Sequence, residues 1–85
     1  MPYYLFLARS ITHAQRMSNL LEQGGVSARI FRPPLRVSER GCSYALYIFS
    51  HQLRTAKMLL REAKLYPTRV LVDKKGEYSE VSLFP

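Results

Sequence analysis

The sequence has little of what most enzymes and secreted proteins use: one cysteine, no tryptophan and six acidic residues among 85. One cysteine excludes an internal disulfide, and a lone thiol is typical of proteins in a reducing cytoplasm. No apolar run approaches the roughly 20 residues that a membrane-spanning helix needs. The sequence does not open with a charged segment followed by an apolar segment and a cleavage site, the features that mark a signal peptide. We therefore expect a cytoplasmic protein without a signal peptide.

Motifs for common catalytic and cofactor chemistry are also absent. The sequence contains neither GxGxxG nor GxxxxGK[ST], the glycine-rich loops that bind phosphates. It shows no Ser-His-Asp arrangement and no pair of carboxylates. His13 and His51 lie on different predicted helices without an acidic cluster, so we expect capping and surface roles for them rather than a metal site. The sequence thus predicts no metal and no cofactor, and it favours a carrier or binding protein over an enzyme.

The charge is strongly positive, with 13 basic residues against 6 acidic ones and a net charge of +7. Such a balance favours an anionic partner, whether nucleic acid, anionic lipid or the acidic face of a protein. Four basic residues recur at helical spacing on the second predicted helix and predict a docking surface. Their alternative role is a solvated flank whose aliphatic stems cover the core. The four are Arg54, Lys57, Arg61 and Lys64.

Strand and helix patterns alternate in the order β-α-β-β-α-β. Ser10 and the Gly24-Gly25 pair are start and stop signals for the first helix, and Ser50 is a candidate cap for the second. The order predicts an α+β protein with a ferredoxin-like α/β plait, in which two helices cover one face of a four-stranded antiparallel sheet. We expect a single domain over residues 1–85, with the plait at about 3–73 and a short tail at 74–85. The predicted strands are 3–8, 26–32, 43–49 and 66–73, the predicted helices are 11–23 and 51–63, and the predicted core includes Leu21, Ile30, Leu46, Leu60 and Val70.

The loop between the second and third predicted strands is longer than a connection between two antiparallel neighbours needs to be. It spans residues 33–42, whereas about two to five residues can join antiparallel neighbours. Cys42 stands at its end, behind Gly41, and Arg36 and Arg40 lie within it. Guanidinium groups near a thiol lower its pKa and favour the nucleophilic thiolate. The alternative is that Cys42 is a small apolar residue of the third strand, where burial would raise the pKa instead.

The sequence resembles the selenium/sulfur carrier-like family over roughly residues 3–72. The resemblance rests on the strand YYLFLA, a Ser/Thr-His-Ala segment opening the first helix, a helix ending Leu-Leu-x-x-x-Gly, and a proline-rich loop that leads through arginine to a cysteine and an apolar strand. The family usually has glycine after that cysteine, where this chain has Ser43. The matching positions are Thr12-His13-Ala14, Leu20-Leu21, Gly25, Pro33-Pro34, Arg36, Cys42 and the pair Ala56-Lys57.

The resemblance implies chalcogen carriage on Cys42. Its thiolate would take sulfur or selenium from a cysteine desulfurase or selenocysteine lyase and pass it to an acceptor enzyme. Gly41, Ser43 and the two loop arginines, Arg36 and Arg40, would support this thiol. With no second cysteine, the chain cannot relay electrons through an internal disulfide.

Two other functions compete with carriage. One is a non-catalytic basic module that binds a protein, a small anion or RNA, with Cys42 structural. The other is a regulatory plait that oligomerises and senses a ligand in the long loop. RNA-binding plaits stack bases on aromatic residues of the first and third strands, and this chain has aromatics there. The third strand, SYALYIF, lacks the RNA-binding signature, so protein partners are favoured over nucleic acid. We also expect no membrane partner.

Overall fold

The computed structural model describes residues 3–33 and 44–84, which form two helices and a five-stranded sheet. A short 3₁₀ turn, Ser50–Gln52, precedes the second helix. The protein is therefore of the predicted α+β class. In chain order the elements are β1 (Tyr3–Ala8), α1 (Ile11–Gln23), β2 (Arg29–Phe31), β3 (Tyr44–Phe49), α2 (Leu53–Ala63), β4 (Arg69–Lys74) and β5 (Glu77–Val81).

Helix α1 has the bounds that its local signals predict. The Ser10 hydroxyl accepts a hydrogen bond from the backbone N–H of His13 at 3.1 Å, which satisfies one of the donors left free at a helix start. Beyond its last turn, Gly25 has φ +87°, a conformation that side chains with a Cβ rarely adopt. Between these ends the helix buries one face, at His13, Ala14, Met17, Ser18 and Leu21.

The sheet is antiparallel throughout and has the order β2-β3-β1-β4-β5. The prediction of four strands is wrong, because part of the predicted tail forms β5 and pairs with β4. Lys75 and Gly76 join these strands in a two-residue turn with both φ angles positive, and that backbone matches the twist of a hairpin. The turn therefore directs the chain back along β4 and brings Val81 opposite Val70.

Both helices cover one face of the sheet. Ala14, Met17 and Leu21 of α1 share one buried cluster with Ala56 and Leu60 of α2. The strand side of this cluster comprises Phe6, Ala8, Leu46, Ile48 and Val70. Of the predicted core residues, Leu21, Leu46, Leu60 and Val70 are buried, and Ile30 is half-buried against the cluster.

The opposite face of the sheet has a smaller cluster, to which neither α1 nor α2 contributes a residue. Leu5, Leu7, Ala45 and Leu71 are buried there, with Phe31, Tyr47 and Tyr78 packed against them. Aromatic side chains on this face thus shield its apolar centre from water in place of a helix layer.

Three element starts differ by two or three residues from the sequence prediction. α2 begins at Leu53 rather than 51, and β4 begins at Arg69 rather than 66. β2 begins at Arg29 rather than 26, although Val26 and Ala28 are buried as the alternating pattern requires. The alternating pattern therefore indicates which residues are buried, and burial here extends beyond the residues that pair in the sheet. Ser50 opens the 3₁₀ turn and makes no capping hydrogen bond for α2, so its predicted role is wrong. In the described residues, neither helix is long and apolar enough to cross a membrane.

Candidate functional site

The predicted thiol site lies outside the described residues. Cys42, its neighbours Gly41 and Ser43, and the two loop arginines Arg36 and Arg40 all belong to residues 34–43. The structure instead describes the two chain ends from which this segment leaves and to which it returns.

These two ends lie side by side at one end of the sheet. Phe31, the last residue of β2, pairs with Ala45 at the start of β3. The Arg32 guanidinium carbon lies 5.1 Å from the centre of the Tyr44 ring, within the range of a cation–π contact. Pro33 is buried beside this pair. Arg32 and Tyr44 therefore place a positive charge beside an aromatic ring where the described residues stop and resume. Tyr44 is two residues from Cys42 along the chain.

The basic residues predicted for docking lie on and just beyond α2. We call Arg54, Lys57, Arg61 and Lys64 the α2 basic surface. Arg54 and Arg61 are exposed, as expected from their spacing, and Lys57 is half-buried. Lys64 is exposed and follows the helix in the left-handed conformation, with φ 55°.

An apolar side chain stands among these charges. Met58 is 52% exposed, and it shares a shallow depression with three cations, Arg54, Lys57 and Arg61, and one carboxylate, Glu62. Within residues 3–33 and 44–84, no carboxylate comes within ion-pair distance of these three cations. The depression thus offers free positive charge around a flexible thioether, a combination suited to an acidic protein surface. Sequence spacing found the charges but not Met58, because helical periodicity does not tell an exposed methionine from a core one.

His13 is not a surface residue, contrary to the expectation from its first-turn position. It is 7% exposed. Its Nε2 lies 3.0 Å from the carbonyl oxygen of Tyr66, and its Nδ1 accepts a hydrogen bond from the backbone N–H of Arg9 at 3.2 Å. Burial lowers the pKa of His13, and the charges of Arg9 and Arg16 lower it further, against the opposing effect of the Tyr66 carbonyl. This histidine therefore joins elements of the fold.

His51 is exposed and stacks on Phe49, with ring centres 5.6 Å apart and planes inclined by 22°. The surface role expected for His51 agrees with this position. Among the residues that the structure describes, no group of three or more histidine, cysteine, aspartate or glutamate side chains could hold a metal ion.

Comparison with known proteins identifies the family. The model of the family described as "Putative Se/S carrier protein-like" matches residues 3–71. The chain belongs to this family. The resemblance found in the sequence is thereby confirmed over nearly the same range. No curated protein and no solved structure matches the chain.

The family match covers most of the chain but not its last strand. The matched residues include Cys42 and both helices, and they end within β4, at Leu71. β5 and Phe84 lie beyond them. The Phe84 ring contacts Phe6 and Tyr66 at centre distances of 5.8 and 5.6 Å, so residues outside the match complete the packing on the helix side of the sheet.

Proposed function

We propose that the protein carries sulfur or selenium on the thiol of Cys42. The observation that supports this proposal is the family match, which extends over residues 3–71 and includes the chain's only cysteine. The strand order β2-β3-β1-β4, with both helices on one face, also supports a ferredoxin-like plait that β5 extends at one edge.

The transfer is a thiol exchange without net oxidation. The Cys42 thiolate, having lost its proton to solvent, attacks the terminal sulfur or selenium of a persulfide or selenopersulfide on the donor enzyme. The bond between that atom and the donor cysteine breaks, and the donor leaves as a thiolate. Cys42 then holds the chalcogen as Cys-S-SH or Cys-S-SeH until an acceptor attacks it in the same way. The exchange requires no metal, cofactor or second cysteine in this chain.

Positive charge near the thiol serves the first step. Arg36 and Arg40 are close to Cys42 in sequence, and Gly41 and Ser43 flank it. At the described end of the segment, the Arg32 guanidinium is held over Tyr44. A cationic environment stabilises the thiolate, the form that attacks. The reducing cytoplasm, where a lone cysteine stays available as a thiol, is the compartment we propose.

The α2 basic surface is the proposed docking site for the donor, a cysteine desulfurase or selenocysteine lyase, and in turn for the acceptor enzyme. Free cations around Met58 suit an acidic patch on such proteins. Complementary charge raises the rate of encounter more than it raises affinity, as a carrier that must dissociate after each transfer requires.

Intact-mass measurement tests carriage directly. The protein is incubated with a cysteine desulfurase and cysteine, or with a selenocysteine lyase and selenocysteine, and is then analysed without reductant. We expect the mass to rise by one sulfur or one selenium, and Cys42→Ser to abolish the rise. A wild-type protein that gains no mass from either donor would contradict carriage and would leave the basic binding module as the function.

A thiol titration tests activation separately. The rate of alkylation of Cys42 is followed from about pH 5 to 10, and its midpoint is expected below the ~8.5 of a free cysteine. Arg36→Ala and Arg40→Ala should raise the midpoint, whereas Arg16→Ala, an exposed arginine on α1, should leave it unchanged. A midpoint above that of a free thiol would show that Cys42 is structural.

A further inference from the structure

A connected set of aromatic rings covers one end of the sheet face opposite α1 and α2. Tyr3 of β1 contacts Tyr47 and Phe49 of β3, with ring centres 5.3 Å apart in both pairs. Phe31 of β2 stacks on Tyr47 at 4.5 Å with planes inclined by 21°. We call Tyr3, Phe31, Tyr47 and Phe49 the aromatic face. Its rings come from three adjacent strands, so the sheet holds them in fixed relative positions.

The outer rings of the aromatic face are open to solvent. Tyr3 is 38% and Phe49 40% exposed, both high values for large aromatic side chains on a sheet. Tyr3 contacts both Tyr47 and Phe49, and Phe49 also stacks on His51. Tyr3 and Phe49 nevertheless keep ring surface open to solvent.

Charge is distributed unevenly around these rings. Arg29 pairs with Tyr47 across β2 and β3, so it lies on the same face, and it is exposed. On the other side, the negatively charged Asp73 pairs with Tyr3, and its Oδ1 accepts a hydrogen bond from the backbone N–H of Gly76 at 2.9 Å. The β2–β3 side of the face thus carries positive charge beside open rings. A shallow depression on this side is lined by Tyr3, Glu22, Ser27, Arg29, Tyr47 and Phe49.

Two features bind unpaired nucleotides: aromatic rings on which bases stack, and a cation beside the rings. A base stacks on an aromatic side chain whatever its identity, and phosphates are neutralised by arginine or lysine. Burying this face against a second copy would instead bring together two chains that each carry +7. Charge complementarity therefore favours a polyanion over self-association.

We propose that the aromatic face binds single-stranded nucleic acid, with bases stacked on Tyr3 and Phe49 and a phosphate on Arg29. The aromatic face shares no residue with the α2 basic surface, and its proposed binding of nucleic acid does not depend on chalcogen carriage. Selectivity for sequence is expected to be low, because stacking does not read base edges.

Fluorescence anisotropy with labelled 12-nucleotide oligo-U and oligo-A, as RNA and as DNA, tests the proposal. We expect the wild type to bind the single strands and to bind a duplex of the same length more weakly. Tyr3→Leu and Phe49→Leu keep apolar cover but remove the rings, and each should weaken binding by at least about fivefold, the lower end of what a lost stacking ring costs. Tyr66→Leu removes an equally exposed aromatic elsewhere and is the matched control.

Two charge variants sharpen the test. Arg29→Ala should weaken binding and reduce the slope of log K against log[salt] by about 0.7, the value for one phosphate contact on a single strand. Glu22→Gln removes the carboxylate from the lining and should tighten binding. Thermal melts of all variants confirm folding. The proposal would be overturned if the wild type bound no single strand, or if Phe49→Leu and Tyr66→Leu weakened binding equally. It would also be overturned if light scattering showed a dimer that Phe49→Leu breaks.

Discussion

His13 and Tyr66 are joined across 53 residues of sequence, with the ring Nε2 of the histidine 3.0 Å from the tyrosine carbonyl oxygen. A carbonyl oxygen only accepts, so Nε2 carries the hydrogen. Nδ1 must then be unprotonated, because it accepts from the N–H of Arg9. The neutral ring therefore connects the start of α1 to the chain that leads into β4, and protonation of Nδ1 would break one of its two bonds.

This contact predicts a loss of stability in mild acid. The pKa of His13 is lowered in the folded protein, mainly by burial, so below about 6.5 the unfolded chain binds a proton that the folded chain does not. Stability is therefore full above pH 6.5 and falls as the pH drops toward the folded-state pKa. Urea unfolding measured from pH 7.5 to 5 checks this. His13→Gln should flatten the profile, whereas His51→Gln, at an exposed site, should leave it unchanged. A profile with the same slope in His13→Gln would contradict the assignment.

A second prediction concerns a buried hydroxyl in α1. Ser18 is 8% exposed, and its hydroxyl donates to the carbonyl oxygen of Ala28 at 2.8 Å, which fixes the chain just before β2. Ser18→Ala should lower the free energy of unfolding by about 1–3 kcal/mol, because the Ala28 carbonyl is left buried without its donor. Gln15→Ala, an exposed change in the same helix, should have little effect. Chemical denaturation compares them, and equal stability of both variants would show that the bond contributes nothing.

The chain reversal after α1 gives a third prediction. Gly25 has φ +87°, and a Cβ added there has no neighbour within 4 Å, so any penalty arises from the backbone rather than from a clash. Gly25→Ala should cost about 1–2 kcal/mol. Gly25→Asn should cost less, because asparagine tolerates the left-handed region better. Thermal and urea melts measure the difference; alanine and asparagine variants of equal stability would refute the backbone explanation.

The fourth prediction tests docking on the α2 basic surface. Reversing Arg54 and Arg61 to glutamate should slow association with a donor enzyme, because the cations that attract its acidic patch become repulsive. Wild-type association should also slow with added salt, as the Debye length falls from about 10 to 3 Å. Stopped-flow or surface-binding kinetics measure both effects.

Lys74→Glu with Lys75→Glu is the matched control, since it makes the same change in net charge on the β4–β5 hairpin. Both lysines are exposed there. Equal slowing by the two double variants would show that only the total charge matters and that α2 holds no specific docking site.

The elements that sequence predicted most closely are those with local causes. β1 and α1 begin and end at the predicted residues, since YYLFLA is a compact apolar run and the Ser10 cap and Gly25 stop act within one helical turn. The membership of Leu21, Leu46, Leu60 and Val70 in the core followed from the same periodicities. The family was recognisable for a related reason, because each of its motifs is a short run of neighbouring residues.

β5 has a local signal in the turn that precedes it. Lys75-Gly76 is a fitting two-residue hairpin turn, and the strand before it was predicted. The segment Glu77–Val81 is polar at most positions, so its own pattern does not indicate a strand. It pairs because β4 offers a hydrogen-bonding edge, and Arg69 adds an ion pair to Glu80 at 2.8 Å.

By itself the sequence determined the α+β class, the bounds of β1 and α1, the basic face of α2 and the family, because each depends on residues within a few turns of one another. Only the tertiary structure decided that His13 is buried and that β5 extends the sheet. It also decided that Tyr3, Tyr47, Phe49 and Phe31 meet on the face opposite α1 and α2. These depend on which strands become neighbours and which helix packs where. Such contacts join residues far apart in sequence, and a local pattern indicates which side chains are buried but not which side chains they meet.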